Sequence, residues 1–235
     1  MTKDLIIIPT YNECVNSGLI YKKIRFTNKN IHILFIDDNS PDNTGEIIKQ
    51  LQKNDENIFL IERSSKKGIG SAHKDGFKWA TKNSYMRVIT IDADLSHDPA
   101  LINYMLELLE ENDIISTGRF LLKNSLKDWS LIRKILTHTR HYILKTLFKI
   151  PYDTSGAFRC YNFKTVKIVD LMAAKNNRYS FLWESLIILH QKKYRIHELP
   201  IIIPKRVNGS SKMSLYDVIN AATYLIQFYI KNLKN

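Results

Sequence analysis

Along the first half of the chain, short β-branched apolar runs alternate with longer mixed stretches. Asp4–Ile8, Ile31–Ile36, Asn57–Glu62, Val88–Ile91 and Asp113–Ser116 read as strands. A continuous apolar run bounded by polar residues fits a strand buried on both faces of a mostly parallel sheet. Glu46–Gln52 and about Ser71–Thr81 read as helices, a helix follows the loop after Ile8, and Pro99 suits the first turn of another. This alternation, with no internal repeat, predicts an α/β fold: a mostly parallel central sheet flanked by helices.

After Arg119 the pattern changes. Leu126–Ile150 sets Trp129, Leu131, Ile132, Ile135, Leu136, Ile143, Leu144, Leu147 and Phe148 at helical spacing among Lys and Arg. Such a basic amphipathic helix lies either on a membrane surface or with its apolar side in the core and its charges solvated. Ser155–Tyr161 reads as extended or looped, Ser180–His190 as a helix and Arg195–Ile203 as a strand. Leu215–Ile230 reads as an apolar-rich helix with Tyr216, Tyr224, Phe228 and Tyr229, too short to span a bilayer comfortably yet aromatic enough to lie at an interface. The expected organisation is a single domain, 1–235, with a nucleotide-binding type of half (1–119) and a second half (120–235).

The strand Val88–Ile91 ends in Asp92-Ala93-Asp94. Open α/β sheets bind ligands beyond the carboxyl ends of their strands, which places both carboxylates at a ligand-binding rim. Hard carboxylate oxygens suit Mg²⁺ or Mn²⁺ alongside substrate phosphates. The turn formers Asp37–Gly45 and the loop Pro9–Glu13 follow neighbouring strands and converge on the same rim. Gly68-Ile69-Gly70 resembles the start of a dinucleotide fingerprint, but His73 stands at the third glycine position and the motif follows the third strand, which excludes a Rossmann dehydrogenase. No Walker A loop is present.

Charge and cysteine content narrow the picture further. The 235 residues carry 35 Lys+Arg against 23 Asp+Glu, a formal charge of +12 that favours phosphates or anionic headgroups. A nucleic-acid partner is not expected, because no such motif is present and the acidic rim would repel a phosphate backbone. Cys14 and Cys160 fit no metal or redox spacing and read as free thiols of a reducing compartment. No stretch supplies the roughly 18 to 20 apolar residues of a membrane span, and Leu5–Ile8 is too short for a signal peptide.

Six motifs in register carry a family resemblance over nearly the whole chain. They are Pro9–Glu13, Asp37–Asp42, Lys67–Gly70, Asp92–His97, Asp153–Tyr161 and Arg206–Lys212. Together they resemble the family 2 glycosyltransferases of GT-A fold, most closely their dolichyl-phosphate (polyprenyl-phosphate) mannosyltransferase branch. The resemblance implies that Pro9, Tyr11, Glu13, Ile36 and Asp38 line a nucleoside pocket. Asp92, Ala93 and Asp94 would face the ribose and a diphosphate-bound Mg²⁺ or Mn²⁺, with Asp92 and Asp94 as metal ligands. Arg119, Arg206 and Lys212 would face phosphates, while Arg119 and Arg133 would hold an acceptor phosphate with Thr137 as a hydroxyl donor. Asp94, Arg119 and Arg133 form the implied catalytic set. Residues 120–235 become an acceptor-binding half with membrane-facing amphipathic segments.

The implied reaction is inverting, metal-dependent transfer of mannose from GDP-mannose to a polyprenyl or dolichyl phosphate. It would take place on the cytoplasmic face of a membrane, by a cytoplasmic, peripheral enzyme that uses a small membrane-anchoring subunit in some relatives. The alternative keeps the fold but uses UDP-glucose or another nucleotide sugar, with a lipid phosphate or a saccharide hydroxyl as acceptor. A hydroxyl acceptor needs a base, for which Glu184 is the candidate. Two departures from the family pattern stand out: Ser96 where many relatives have Gln, and Phe120–Lys123 where glycines are expected.

Overall fold

The computed structural model describes residues 3–204 and 215–233. Seven strands form one sheet among the described residues, in the order β3-β2-β1-β4-β6-β5-β7. Their spans are β1 Asp4–Thr10, β2 His32–Asp37, β3 Ile58–Glu62, β4 Arg87–Thr90, β5 Ile114–Gly118, β6 Arg159–Asn162 and β7 Ile196–Pro200. The helices are α1 Cys14–Thr27, α2 Thr44–Asn54, α3 Ile69–Lys82, α4 Leu101–Leu108, α5 Leu131–Phe148, α6 Ile168–Met172, α7 Ser180–Gln191 and α8 Leu215–Leu233. β1, β2, β3 and β4 run parallel, as do β5 and β7, while β6 is antiparallel to both β4 and β5. The mostly parallel sheet expected from the apolar runs is present. β6 overlaps the stretch Ser155–Tyr161 read as extended or looped, but its antiparallel direction was not anticipated, since side-chain alternation does not encode strand direction, and neither was the short α6.

Alternation along β1 explains why its whole run is apolar. Leu5 and Ile7 point into one layer with Leu34, Ile36 and the α3 residues Phe77 and Ala80. Ile6 and Ile8 point into the other with Ile33, Phe35 and residues of α1, α2 and α4 (Ile20, Ile48, Ile102). All four β1 positions are fully buried, and burial of each such side chain is worth about 1.5–3 kcal/mol. Gly76 of α3 lets the helix close onto the sheet, since a Cβ there would stand 2.7 Å from Ile7 and 2.9 Å from Ile36.

The chain proceeds outward from β1 through β2 to β3, then returns to place β4 on the opposite side of β1. That reversal is a topological switch point, where strand-end loops diverge and leave a crevice. The loops after β1 and β4 carry Pro9–Glu13 and Asp92–His97, so the fold puts both motifs at this crevice.

Candidate active site

The loops after β1, β2, β3 and β4 line a cleft of about 350 Å³. Its lining includes Pro9, Tyr11, Glu13, Asp38 and the run Asp92–Asp94. The loop after β2 is stitched to the loop after β1: Cys14 N–H donates to Asp42 at 3.1 Å and Glu13 N–H to Thr44 Oγ1 at 2.9 Å. Asn12, Asn39 and Asn43 take the left-handed backbone that such tight turns need, with φ of 56°, 60° and 65°. Asp38 is nearly fully buried, accepts from the backbone N–H groups of Lys67 and Gly68, each at 2.8 Å, and forms an ion pair with Arg63 at 3.0 Å. It therefore fixes the Lys66–Gly68 wall of the cleft. Lys66 Nζ lies over the Tyr11 ring, 3.6 Å from its centre.

The glycines of Gly68-Ile69-Gly70 serve packing. Gly68 sits at φ 94°, and a Cβ on Gly70 would stand 2.4 Å from Phe181 Cβ and 2.8 Å from the Arg178 carbonyl oxygen. The close approach brings Arg178 and Tyr179 to the cleft, where Arg178 pairs with Asp217 of α8 at 2.7 Å.

Asp92 and Asp94 both face this cleft beyond β4. Asp94 accepts from Ser96 N–H at 3.1 Å, and the intervening Leu95 adopts φ 61°. A positive φ is unusual for a bulky residue, and such local strain concentrates at ligand sites. His97 Nε2 lies 3.8 Å from Asp92 Oδ2, beyond hydrogen-bonding range. Among the described residues no third His, Cys, Asp or Glu joins the two carboxylates as a closed metal cluster. This donor set fits Mg²⁺ or Mn²⁺, which take one or two carboxylates and complete their shell with water and substrate phosphates. It does not suit a structural metal, which needs a full protein ligand set.

A second cavity, about 130 Å³, opens beside the first and shares Asp92 and Ser155 with it. Its cations are Arg119, at the end of β5, and Arg133, in the first turn of α5. Arg119 is nearly buried and donates to Asp153 through Nε at 2.7 Å and Nη2 at 2.8 Å, with Ser155 Oγ also accepting from Nη2. Burial alone would raise the Asp153 carboxyl, but the Arg119 guanidinium outweighs it and holds the acid well below the carboxylate range. Arg140 donates to Ser155 at 2.9 Å, and burial together with the charge of Arg119 brings its guanidinium down to about 10. The Arg133 guanidinium stacks 3.4 Å from the Trp129 ring centre. Thr137 is buried one turn further along α5 and lines neither cavity.

The structure thus brings together Pro9, Tyr11, Glu13, Asp38, Asp92, Ala93 and Asp94 in one cavity, and Arg119 and Arg133 in the adjoining one. Ile36 is not at the rim. Strand alternation turns it beneath α3, fully buried, and the cleft wall begins two residues later at Asp38. Arg206 and Lys212 lie outside the described residues. Glu184, the candidate base for a hydroxyl acceptor, is 1% exposed, accepts from the N–H groups of Lys175 (2.8 Å) and Asn176 (2.9 Å) and takes the Tyr224 hydroxyl at 2.8 Å. It holds a loop and does not line the cleft. Sequence reasoning gave no role to Asp153, Ser155, Arg178 or Asp217. The Asp153–Tyr161 motif pointed to the first two, whereas nothing local marked the Arg178–Asp217 pair.

Comparison with known proteins agrees with this geometry. The family described as "Glycosyl transferase family 2" matches residues 5–168. The chain is 30% identical over 215 residues to a "Polyprenol monophosphomannose synthase" of Mycolicibacterium smegmatis, covering 90% of this chain and 81% of that protein. It is 29% identical over 211 residues to an "Undecaprenyl-phosphate mannosyltransferase" of Micrococcus luteus, covering 89% and 87%. Among solved structures, glucosyl-3-phosphoglycerate synthase from Mycobacterium tuberculosis, with Mn²⁺, UDP and glucosyl-3-phosphoglycerate, superposes with a TM-score of 0.66 at 13% identity, over 96% of this chain and 77% of that one. A mannosyltransferase from Pyrobaculum calidifontis with GDP-Man and Mn²⁺ gives 0.62 at 16% identity, over 99% and 64%. The fold is that of the GT-A glycosyltransferases, and the chain belongs to glycosyltransferase family 2.

Proposed function

We propose that the protein transfers mannose from GDP-mannose to a polyprenyl phosphate, with a divalent cation and with inversion at the anomeric carbon. The observation that carries this reading is the pair of cavities meeting at Asp92: one is walled for a nucleotide sugar, the other lined by Arg119 and Arg133. The names of the two relatives at about 30% identity support the sugar and the lipid phosphate. In this reading Tyr11 and Glu13 meet the nucleoside, and Asp92 and Asp94 hold the cation, which supplies charge neutralisation at the diphosphate. Arg206 and Lys212 are assigned to donor phosphates on the family resemblance.

The acceptor needs no general base. A phosphate monoester has a second pKa near 6 and is mostly dianionic at neutral pH. Arg119 lines the second cavity while Asp153 and Ser155 engage its Nε and Nη2, so its position is set before substrate arrives. Positioning and charge stabilisation then carry the rate. Direct attack by the phosphate oxygen, without an enzyme nucleophile, inverts the anomeric centre. The burial of Glu184 in structural hydrogen bonds argues against the saccharide-hydroxyl alternative.

A lipid acceptor requires contact with a membrane, and α5 offers the surface for it. Leu131 and Ile132 are both 72% exposed, Leu136 64% and Tyr142 70%, while only Thr137, Leu144 and Phe148 of this helix are buried. Its apolar stripe thus points outward, as expected for peripheral docking. Among the described residues no helix is long and apolar enough to cross a membrane. The direct test is a grid of labelled GDP-mannose, UDP-glucose and other nucleotide sugars against polyprenyl phosphate, polyprenol and free saccharides. Label should enter polyprenyl phosphate from GDP-mannose. Preferred transfer from UDP-glucose, or onto a saccharide, would overturn the assignment.

A further inference from the structure

A third cavity, about 540 Å³, lies between α5 and the segment 120–127 and shares only Arg119 with the two cavities above. Its charged lining is uniformly basic: Lys123, Lys127, Lys134 and Lys145, with His138 and His141. No carboxylate lines it, and among the described residues none of the four lysines forms an ion pair. Phe120 packs against both histidines, with ring centroids 3.9 Å from His141 and 5.1 Å from His138, and so closes one wall. The concentration of charge is local. From Ile114 to Tyr152 the sequence has eight Lys and Arg against the single Asp128, seven net charges of the chain's +12.

Uncompensated ammonium groups around a concave surface repel one another, and an anion in the cavity relieves that repulsion. The position of the cavity identifies the kind of anion. Lys134, His138 and Lys145 lie along α5 beside the outward apolar stripe of Leu131, Ile135 and Tyr142, so a bound anion sits at the edge of that stripe. Leu121 and Leu122, both exposed, extend the apolar surface along the other wall. We propose that this cavity binds the phosphate headgroup of an anionic phospholipid, with the acyl chains running past the α5 stripe into the bilayer. The inference rests on the membrane docking proposed above and adds a specific headgroup site to it. Arg119 reaches both cavities, so the bound lipid would stand next to the acceptor phosphate.

The test compares the full chain with the quadruple variant Lys123→Gln, Lys127→Gln, Lys134→Gln, Lys145→Gln. A control of equal charge change, Lys22→Gln, Lys23→Gln, Lys29→Gln, Lys53→Gln, alters exposed lysines outside this cavity. Sedimentation with phosphatidylglycerol-containing vesicles should weaken about tenfold or more in the cavity variant and little in the control. Binding to pure phosphatidylcholine vesicles should be the same for all three proteins. Equal losses in the two variants would reduce the effect to diffuse charge and overturn the site. Inorganic phosphate, followed by the NMR shifts of His138 and His141, separates the lipid from a free anion. Tight phosphate binding that is lost in the cavity variant, with vesicle binding unchanged, would also overturn the lipid assignment. Mannosyl transfer to detergent-dispersed polyprenyl phosphate should be retained by the cavity variant. Its absence from the wild-type protein would instead refute the proposed reaction and leave the vesicle comparison standing.

Discussion

At the scale of single residues the account turns on charges held in place before substrate binds. Asp94→Asn should reduce turnover by orders of magnitude while the melting temperature stays close to wild type, since the amide keeps the size of the carboxylate and its oxygen can still accept from Ser96 N–H. Chelation with EDTA should abolish wild-type activity, and full activity in EDTA would refute the cation assignment. Asp153→Asn should act differently: it strands the buried Arg119 guanidinium, a loss of about 3–5 kcal/mol in stability, readable as a lower denaturation midpoint. His73 offers a pH test. Burial lowers its imidazole from 6.5 to about 4, so between those values the unfolded chain binds a proton that the folded one refuses. Stability should be level above about pH 6.5 and fall toward pH 4, by at most about 1.4 kcal/mol per pH unit. His73→Gln should flatten that part of the profile in thermal melts, and an unchanged profile would assign the acid sensitivity elsewhere. Residue identities at the rim were legible because few side chains carry this chemistry at strand ends. Ile36 was misplaced because a motif match does not say which way a strand residue points.

Among the elements, α5 is the one whose meaning depended on the fold. Its helical period was plain in the sequence, but apolar and basic residues share its circumference, and periodicity alone left both orientations open. Burial of Leu144 and Phe148 against the core fixes the rotation and leaves Leu131, Ile132, Ile135 and Leu136 outside. Replacing these four by Ser should abolish vesicle binding yet alter thermal stability little, because exposed substitutions stay within about 0.5 kcal/mol each. A large fall in melting temperature would show the stripe to be packed. The start of α3 gives the opposite case. Gly70→Ala should destabilise by about 1–3 kcal/mol, since the added methyl meets Phe181 and a backbone carbonyl. In the sequence the glycine pair resembled the start of a dinucleotide fingerprint that its context excluded, and the contact with Arg178 and Phe181 explains it.

For the molecule as a whole, the loops after β1–β4 build the cleft proposed for the donor at a switch point, while the end of β5 and the first turn of α5 bring Arg119 and Arg133 against it. The alternation of the first half was legible because each strand there is a buried apolar run. In the second half α5, α7, β7 and α8 were legible as elements, but not the antiparallel direction of β6 or the contact of α8 with the cleft, Arg178 with Asp217, which spans 39 residues. The central claim is that the acceptor phosphate reaches the sugar from its own cavity, in a single displacement. It is tested most directly by the anomeric configuration of the mannosyl phosphate formed from GDP-α-mannose, read from its one-bond C–H coupling by NMR. Single displacement gives a β-linked product, and an α-linked product would contradict it.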